Sequence, residues 1–185
     1  MRQTWIQTLE GRKLEPLNIQ ADQVGSIDEI AQSLSRKFRF TGQTREPYTV
    51  AQHCVLGSRL VAPAYAGAFL LHELSEVYLP DIASPLKPFV FVTGIERHVA
   101  WVELEHTHTR IILAALGLSA LEPLIHSDEV KSMDLSMLMT EKRDLMGVEP
   151  EPWGIGANPI GRINYTWAPA LAHTIFLSRF AEIFS

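Results

Sequence analysis

The stretch AYAGAFLLHELSEVYL, residues 64–79, constrains the fold more than any other. It is apolar almost all round as far as Leu71, which is typical of a helix buried at the centre of a protein. Three polar side chains, His72, Glu73 and Glu76, then crowd the end of this predicted helix. Because ionised carboxylates are costly to bury unless they are paired or bound to a metal, two interpretations follow. Either the helix ends in solvent, or it delivers these groups to a polar site in the interior.

The segments around this helix predict an all-α fold, a helical bundle with a minor β element at the N-terminus. Ser26, followed three residues later by Glu29, has the spacing of a capping box before a short helix. The later helices are predicted over about 49–61, 94–116, 127–147 and 168–184. The last of these is amphipathic, so we expect it to pack back on the bundle.

Two segments are predicted to lack helix. The N-terminal TWIQTLEGRKLEPLN alternates weakly around Gly11, which predicts a small β-hairpin or an extended arm. PDIASPLKP, residues 80–88, contains three prolines and predicts a loop over the end of the core helix.

Composition narrows the function classes. The 185 residues suit one domain, with the motif-bearing core at about 26–147. A formal charge of −5 without a long basic run argues against a nucleic-acid-binding surface. No apolar segment approaches the roughly 18–20 residues that span a bilayer, and no signal peptide is recognisable, so no membrane association is expected. The single cysteine, Cys54, excludes an internal disulfide and fits a reducing cytoplasm.

Two further residues extend the polar cluster. His53 lies on the predicted helix that precedes the core helix, and Asp134 lies within the apolar stretch KSMDLSML. Together with His72 and Glu73 they form a set contributed by three predicted helices, as in metal sites built in the core of a bundle. Imidazole and carboxylate ligands suit Mn²⁺, Fe²⁺, Co²⁺ or Zn²⁺, or Mg²⁺ if water completes the coordination.

The ordered segments YTVAQHC, LLHELSEVYLPDIASPLKP and KSMDLSMLMTEKRDLM resemble the HD-domain metal-dependent phosphohydrolases. More narrowly, they are similar to the phage and bacterial branch related to HD-type 5′-deoxynucleotidases. The resemblance extends from about Gly11 to Trp153. It implies an HD-domain helical bundle, a homo-oligomer, and a cytoplasmic enzyme, in the host cytoplasm if the chain is phage-encoded.

The resemblance implies a set of metal ligands. The family pattern H…HD…D falls on His53, His72 and Asp134, with Glu73 where the family has aspartate. A glutamate reaches a methylene group further, so it can still ligate but approaches the ion at a different angle. This departure keeps open the alternative of a catalytically impaired, nucleotide-binding homologue.

The resemblance also implies two acidic catalytic residues. Glu76, four residues after His72, matches a candidate general acid or base. Asp81, nine residues after His72, matches an acid that holds the reacting group or, with Glu76, a second metal ion. On its own, Asp81 could equally be a turn residue after Pro80.

The substrate contacts implied by the resemblance lie in two loops. Lys87 resembles a lysine that meets the phosphates. Arg39 and Phe40 resemble an arginine–aromatic pair in which the cation meets phosphate or base and the ring packs on the nucleoside. The loop at Thr41 and Gly42 is expected to shape the base pocket.

The implied activity is metal-dependent phosphohydrolysis of a deoxyribonucleotide. Members of the family include deoxynucleoside monophosphatases and phage enzymes that hydrolyse dATP to deoxyadenosine and triphosphate, which accompany genomes with 2-aminoadenine in place of adenine. We expect a purine deoxynucleotide, dATP first, as substrate. A 5′-deoxynucleotidase acting on dNMPs is the alternative within the same class.

Overall fold

The computed structural model describes residues 4–93 and 98–185, and in these the predicted all-α fold with a small N-terminal hairpin is confirmed. The α-helices are α1 (Ile27–Arg36), α2 (Val50–Leu60), α3 (Ala66–Leu70), α4 (Trp101–Ala115), α5 (Glu122–Ile125), α6 (Asp128–Leu145) and α7 (Pro169–Phe184). Two antiparallel hairpins pair β1 (Ile6–Gln7) with β2 (Lys13–Leu14) and β3 (Phe91–Val92) with β4 (Val99–Ala100). Among the described helices, none combines the length and the apolar character needed to cross a membrane.

The start of α1 shows how the N-terminal hairpin is fastened to the bundle. Ser26 Oγ accepts a hydrogen bond from the Glu29 N–H at 3.2 Å, so Ser26 is the predicted N-cap. The Glu29 side chain does not complete the capping box. Its buried Oε2 accepts instead from Thr8 Oγ1 at 3.0 Å and from the Glu10 N–H at 2.8 Å. The carboxylate therefore ties the hairpin to α1.

The main core lies where α1, α2, α3 and α7 pack against one another. α2 and α3 approach closely because Gly57 faces the ring of Phe69, and a Cβ at Gly57 would overlap that ring. The Phe69 ring in turn lies 4.4 Å from the ring of His72 and 5.5 Å from the ring of His53. The contact between Gly57 and Phe69 therefore sets the spacing of the two histidines.

We expect Gly57→Ala to destabilise the protein by about 1–3 kcal/mol, because the new methyl group overpacks a fully buried ring. Urea unfolding followed by circular dichroism measures the free energy of unfolding. Gly147→Ala is the matched control, since no atom lies within 4 Å of a Cβ there. Its effect should stay within about 0.5 kcal/mol. Equal losses in the two variants would contradict this account.

The predicted continuous helix over residues 64–79 was wrong. α3 ends at Leu70, and the backbone leaves helical geometry at Leu71 (φ −111°, ψ 8°) and Glu73 (φ −97°, ψ 22°) before a 3-10 turn over Leu74–Val77. In a regular helix, adjacent side chains point about 100° apart. The irregular turn instead lets His72 and Glu73 face the same interior point.

The predicted start of a helix at Gly94 lies outside the described residues, but the extension of that helix through Val99 was wrong. α4 begins at Trp101, and the two residues before it form β4. The hairpin continues into the helix, since the Trp101 N–H donates to the Val90 carbonyl at 3.0 Å. The β-branched and aromatic residues of β3 and β4 favour a strand over a helix here.

Candidate metal centre and adjoining cavity

Four side chains converge from three parts of the fold. His53 comes from α2, His72 and Glu73 come from the turn after α3, and Asp134 comes from α6. One ligand atom of each lies within 4.8 Å of the others, and His53 is fully buried while the other three are partly buried. Two imidazoles and two carboxylates at this spacing could hold a divalent metal ion.

Hydrogen bonds fix the histidine tautomers so that both Nε2 atoms face the centre. His53 Nδ1 lies 2.6 Å from Glu141 Oε1, and His72 Nδ1 lies 2.6 Å from the Phe69 carbonyl oxygen. A carboxylate and a carbonyl only accept hydrogen bonds, so each Nδ1 carries its proton. The two Nε2 atoms are 3.2 Å apart, and when both rings are neutral no proton lies between them.

Asp134 adds a third acceptor to this pair. Its Oδ1 lies 3.2 Å from His53 Nε2 and 3.7 Å from His72 Nε2. That oxygen is buried and has no hydrogen-bond partner in the part of the chain that the structure describes. Three acceptor atoms facing one space call for a cation, and the residues therefore fit a metal ion.

In the absence of a metal, the neighbouring carboxylates favour a proton on His72. Burial disfavours the charged form of His72, but the Glu73 carboxylate and the contact with Asp134 outweigh burial and raise the pKa of His72 well above its usual range. The same proximity to the two histidines lowers the pKa of Asp134 despite its burial. Because these ligands must be deprotonated to bind a metal, metal affinity is expected to be weaker at low pH.

Sequence reasoning missed Glu141. This fully buried residue lies seven positions after Asp134 on α6, so the two acids share a helix face. Burial alone would raise the pKa of Glu141. The opposite effects of Arg39 and His53 are larger, so the pKa is lowered and the carboxyl is ionised. A carboxylate behind a metal-ligating histidine orients the ring and increases its basicity. The seven-residue spacing is the sequence signal that could have revealed it.

Arg39 lies beside both carboxylates of the centre and beside Glu141. Its Nε donates to Glu141 Oε2 at 3.0 Å, and its Nη1 donates to Glu73 Oε1 at 3.1 Å. Its Nη2 lies 4.0 Å from Asp134 Oδ1. The side chain lines the adjoining cavity, but its nitrogens face carboxylates; its role as a substrate contact stays a prediction.

The metal centre opens into a cavity of about 700 Å³. The polar side chains that line it, here called the polar wall, include His72, Glu73, Glu76, Asp81, Lys87 and Asp134. The apolar and aromatic side chains that line it, here called the apolar wall, include Phe40, Leu135, Leu138, Met146, Trp153 and Ile155. A cavity lined by both kinds of side chain suits a ligand that carries both charged and apolar or aromatic groups.

Glu76 and Asp81 belong to the polar wall but not to the group of four ligands. Burial raises the pKa of Glu76 well above its usual range, with Glu73 and Asp81 adding to the effect. Partial burial also raises the pKa of Asp81. Lys37 Nζ donates to the carbonyl oxygens of Glu76 and Leu79 and so fixes the turn that leads from one acid to the other. The raised pKa favours the protonated form of the Glu76 carboxyl.

Two aromatic side chains of the apolar wall, Phe40 and Trp153, come from two different loops. The Phe40 ring lies 6.4 Å from the Trp153 ring at an angle of 49°. Phe40 and Thr41 have φ of 56° and 50°, and Gly42 closes the turn at φ 78°. For residues with a side chain this left-handed conformation is strained by roughly 1–2 kcal/mol each, and such strain often occurs at functional sites. Sequence reasoning missed Trp153 because it lies in an irregular segment without periodicity.

Lys87 lies at the edge of the polar wall. Its Nζ is 2.9 Å from Glu105 Oε1 on α4, and its side chain is partly buried. Burial disfavours the ammonium, but Glu105 outweighs this and raises the pKa of Lys87. A cation is therefore present at neutral pH among the side chains of the polar wall.

Comparison with known proteins identifies a relative along nearly the whole chain. No protein-family model matches the sequence. The uncharacterized protein YfdR of Escherichia coli strain K12 is 33% identical over 184 residues, which cover 97% of this chain and 96% of YfdR. Identity at this level over both full lengths shows that this protein belongs to the YfdR family.

Proposed function

We propose that this protein is an HD-domain metal-dependent phosphohydrolase that acts on deoxyribonucleotides. One observation carries the proposal: three of the four side chains that could hold a metal, His72, Glu73 and Asp134, line a cavity that is also lined by aromatic and apolar side chains. The order of the ligands along the chain, with Glu73 in the aspartate position, supports the assignment to the HD domain.

The residues have separate tasks in this proposal. When bound, a divalent cation supplies Lewis acidity, lowering the pKa of water and polarising a phosphoryl oxygen. Glu141 keeps the His53 proton on Nδ1, so that Nε2 remains a ligand. Burial raises the pKa of Glu76, which favours a protonated carboxyl that can pass a proton to the leaving oxygen. Lys87 provides positive charge for a phosphate.

The aromatic wall supports a nucleotide over a simple phosphate ester. Phe40 and Trp153 present two tilted rings on which a planar base can pack. The polar wall contains more acids than cations, so binding of a polyphosphate depends on the divalent ion. By resemblance we propose dATP as the first substrate to test, with dNMPs as the alternative and a homo-oligomer as the assembly.

A substrate panel tests the proposal. Purified protein is assayed with dATP, dGTP, dAMP, dGMP and the base-free deoxyribose 5-phosphate in Mn²⁺, Co²⁺ or Mg²⁺, with phosphate, triphosphate and nucleoside quantified. We expect metal-dependent hydrolysis of deoxynucleotides, abolished by EDTA, and much weaker turnover of deoxyribose 5-phosphate.

The panel separates the alternatives. Release of phosphate from dAMP without release of triphosphate from dATP would exclude the dATP triphosphohydrolase and favour a 5′-deoxynucleotidase. Metal-dependent nucleotide binding without turnover would identify an impaired, nucleotide-binding homologue. Metal analysis of the same preparation gives the number of ions per chain, and a value of two would support a second ion at Glu76 and Asp81.

A further inference from the structure

Arg39 occupies a buried position between the carboxylates of the metal centre. Its side chain is 12% exposed, and its Nε and Nη1 donate to Glu141 and Glu73 at 3.0 and 3.1 Å. A planar guanidinium can bridge two carboxylates in this way, whereas a lysine ammonium cannot match the fork geometry. Two of its donor groups are therefore already used before any substrate binds.

The charges of the cluster balance with Arg39 and one divalent cation. Glu73, Asp134 and Glu141 contribute −3 and Arg39 contributes +1, which leaves −2 when both histidines are neutral. One divalent ion brings this total to zero. Without the guanidinium the same buried group would carry −3, and Glu73 and Glu141 would repel each other without a shared partner.

The contact with Glu73 bears on the residue that departs from the family pattern. A glutamate has one more rotatable bond than an aspartate, so its carboxylate needs an anchor to stay at a ligand position. Arg39 Nη1 holds Oε1 of Glu73 while the same oxygen lies 3.6 Å from His72 Nε2. The backbone of Arg39 is itself fixed, because its N–H donates to the Tyr48 carbonyl at 2.9 Å.

We propose that Arg39 is a positioning residue of the metal centre. Its guanidinium holds Glu73 and Glu141 in the arrangement in which the four ligands bind a divalent cation, and it allows a glutamate to serve at position 73. This inference rests on the metal site of the proposed function. If Arg39 is a positioning residue, changing it weakens metal affinity. If it were only a substrate contact, changing it would weaken nucleotide affinity alone.

Titration of the metal-depleted, substrate-free full-length protein with Mn²⁺ by calorimetry tests the proposal. We expect Arg39→Lys to weaken Mn²⁺ affinity by at least about 10-fold, the loss typical of groups that orient metal ligands. Arg143→Lys is the matched control. It makes the same change in an arginine that pairs with a carboxylate, Asp144, but does not line the cavity, so its Mn²⁺ affinity should stay within about two-fold of the wild type.

A double-mutant cycle asks whether Arg39 acts through Glu73. In Glu73→Asp the shorter side chain withdraws from Nη1, so adding Arg39→Lys should weaken Mn²⁺ affinity by less than about 3-fold. Arg39→Gln, which keeps a donor without the charge, replaces Arg39→Lys in the cycle if the lysine variant does not fold. Thermal melts of each metal-free variant identify the folded ones.

Two results would overturn the proposal. The first is wild-type Mn²⁺ affinity in Arg39→Lys together with a raised KM, which would make Arg39 a substrate contact. The second is a wild-type protein that does not bind Mn²⁺. Failure of the proposed function is distinguishable, because a protein that binds Mn²⁺ with the expected Arg39 dependence but hydrolyses no nucleotide refutes only the phosphohydrolase.

Discussion

Asp134→Asn is expected to remove both metal binding and hydrolysis. Asp134 Oδ1 is a buried acceptor that faces two histidine nitrogens and has no hydrogen-bond partner among the described residues, so its negative charge is expected to contribute strongly to cation binding. We expect Mn²⁺ affinity to fall by at least about 100-fold, beyond the loss seen for outer partners of metal ligands. Losing about 4 kcal/mol of transition-state stabilisation corresponds to about 10³-fold in kcat/KM.

Calorimetry and the deoxynucleotide assay measure the two effects. Asp128→Asn is the matched control, because it makes the same chemical change in the first turn of α6 at an exposed position. It should keep Mn²⁺ affinity and turnover, with a stability loss of about 0.3–1 kcal/mol from the helix dipole. Wild-type turnover in Asp134→Asn would remove the metal centre from the proposed mechanism.

The parts of the fold that were predictable are those set by local signals. Ser26, Thr49 and Ser127 each accept a hydrogen bond from a backbone N–H three residues later, and each marks the start of a helix where the sequence predicted one. The proposed ligands were also accessible to sequence reasoning, because their residue types and spacings repeat a known order. The structure brings these four side chains to one point.

The parts that were not predictable depend on partners distant in sequence. The break after α3 accompanies a side-chain contact, since His72 Nδ1 donates to the Phe69 carbonyl, a bond that no periodicity indicates. Glu141 is defined by its bond to His53, 88 residues away. Trp153 is defined by its contact with Phe40. Sequence patterns identify elements and ligands, whereas the groups that orient the ligands follow from tertiary packing.

Glu76→Gln is expected to reduce kcat by about 10²–10⁴-fold while Mn²⁺ affinity stays within a few-fold of the wild type. Glu76 lies on the polar wall of the cavity but is outside the four-ligand group, and burial raises its pKa and so favours its protonated form. Glutamine retains the shape and removes the transferable proton. Turnover at saturating nucleotide and calorimetry with Mn²⁺ measure the two quantities. A Glu76→Gln variant with wild-type kcat would exclude Glu76 from proton transfer.

Glu76→Gln should lower kcat but raise the free energy of unfolding at neutral pH. The ordinary pKa of a glutamate is 4.5, and that of folded Glu76 is raised, so between the two values the unfolded chain is ionised while the native protein holds the proton. The stability that the wild type owes to a protonated Glu76 is therefore fully present below pH 4.5. It is lost as the pH rises through the raised pKa. Glu76→Gln lacks this loss, and its free energy of unfolding relative to the wild type should increase from pH 5 to pH 8.

Urea unfolding of metal-depleted protein at the two pH values measures this difference. Glu151→Gln, at an exposed loop position, should show neither the loss of kcat nor the gain in stability. A pH-independent difference between Glu76→Gln and the wild type would contradict the burial argument. A carboxyl whose Oε2 has no hydrogen-bond partner among the described residues weakens the fold at neutral pH. Opposite effects of Glu76→Gln on rate and stability would therefore mean that this residue is retained for chemistry, at the expense of stability.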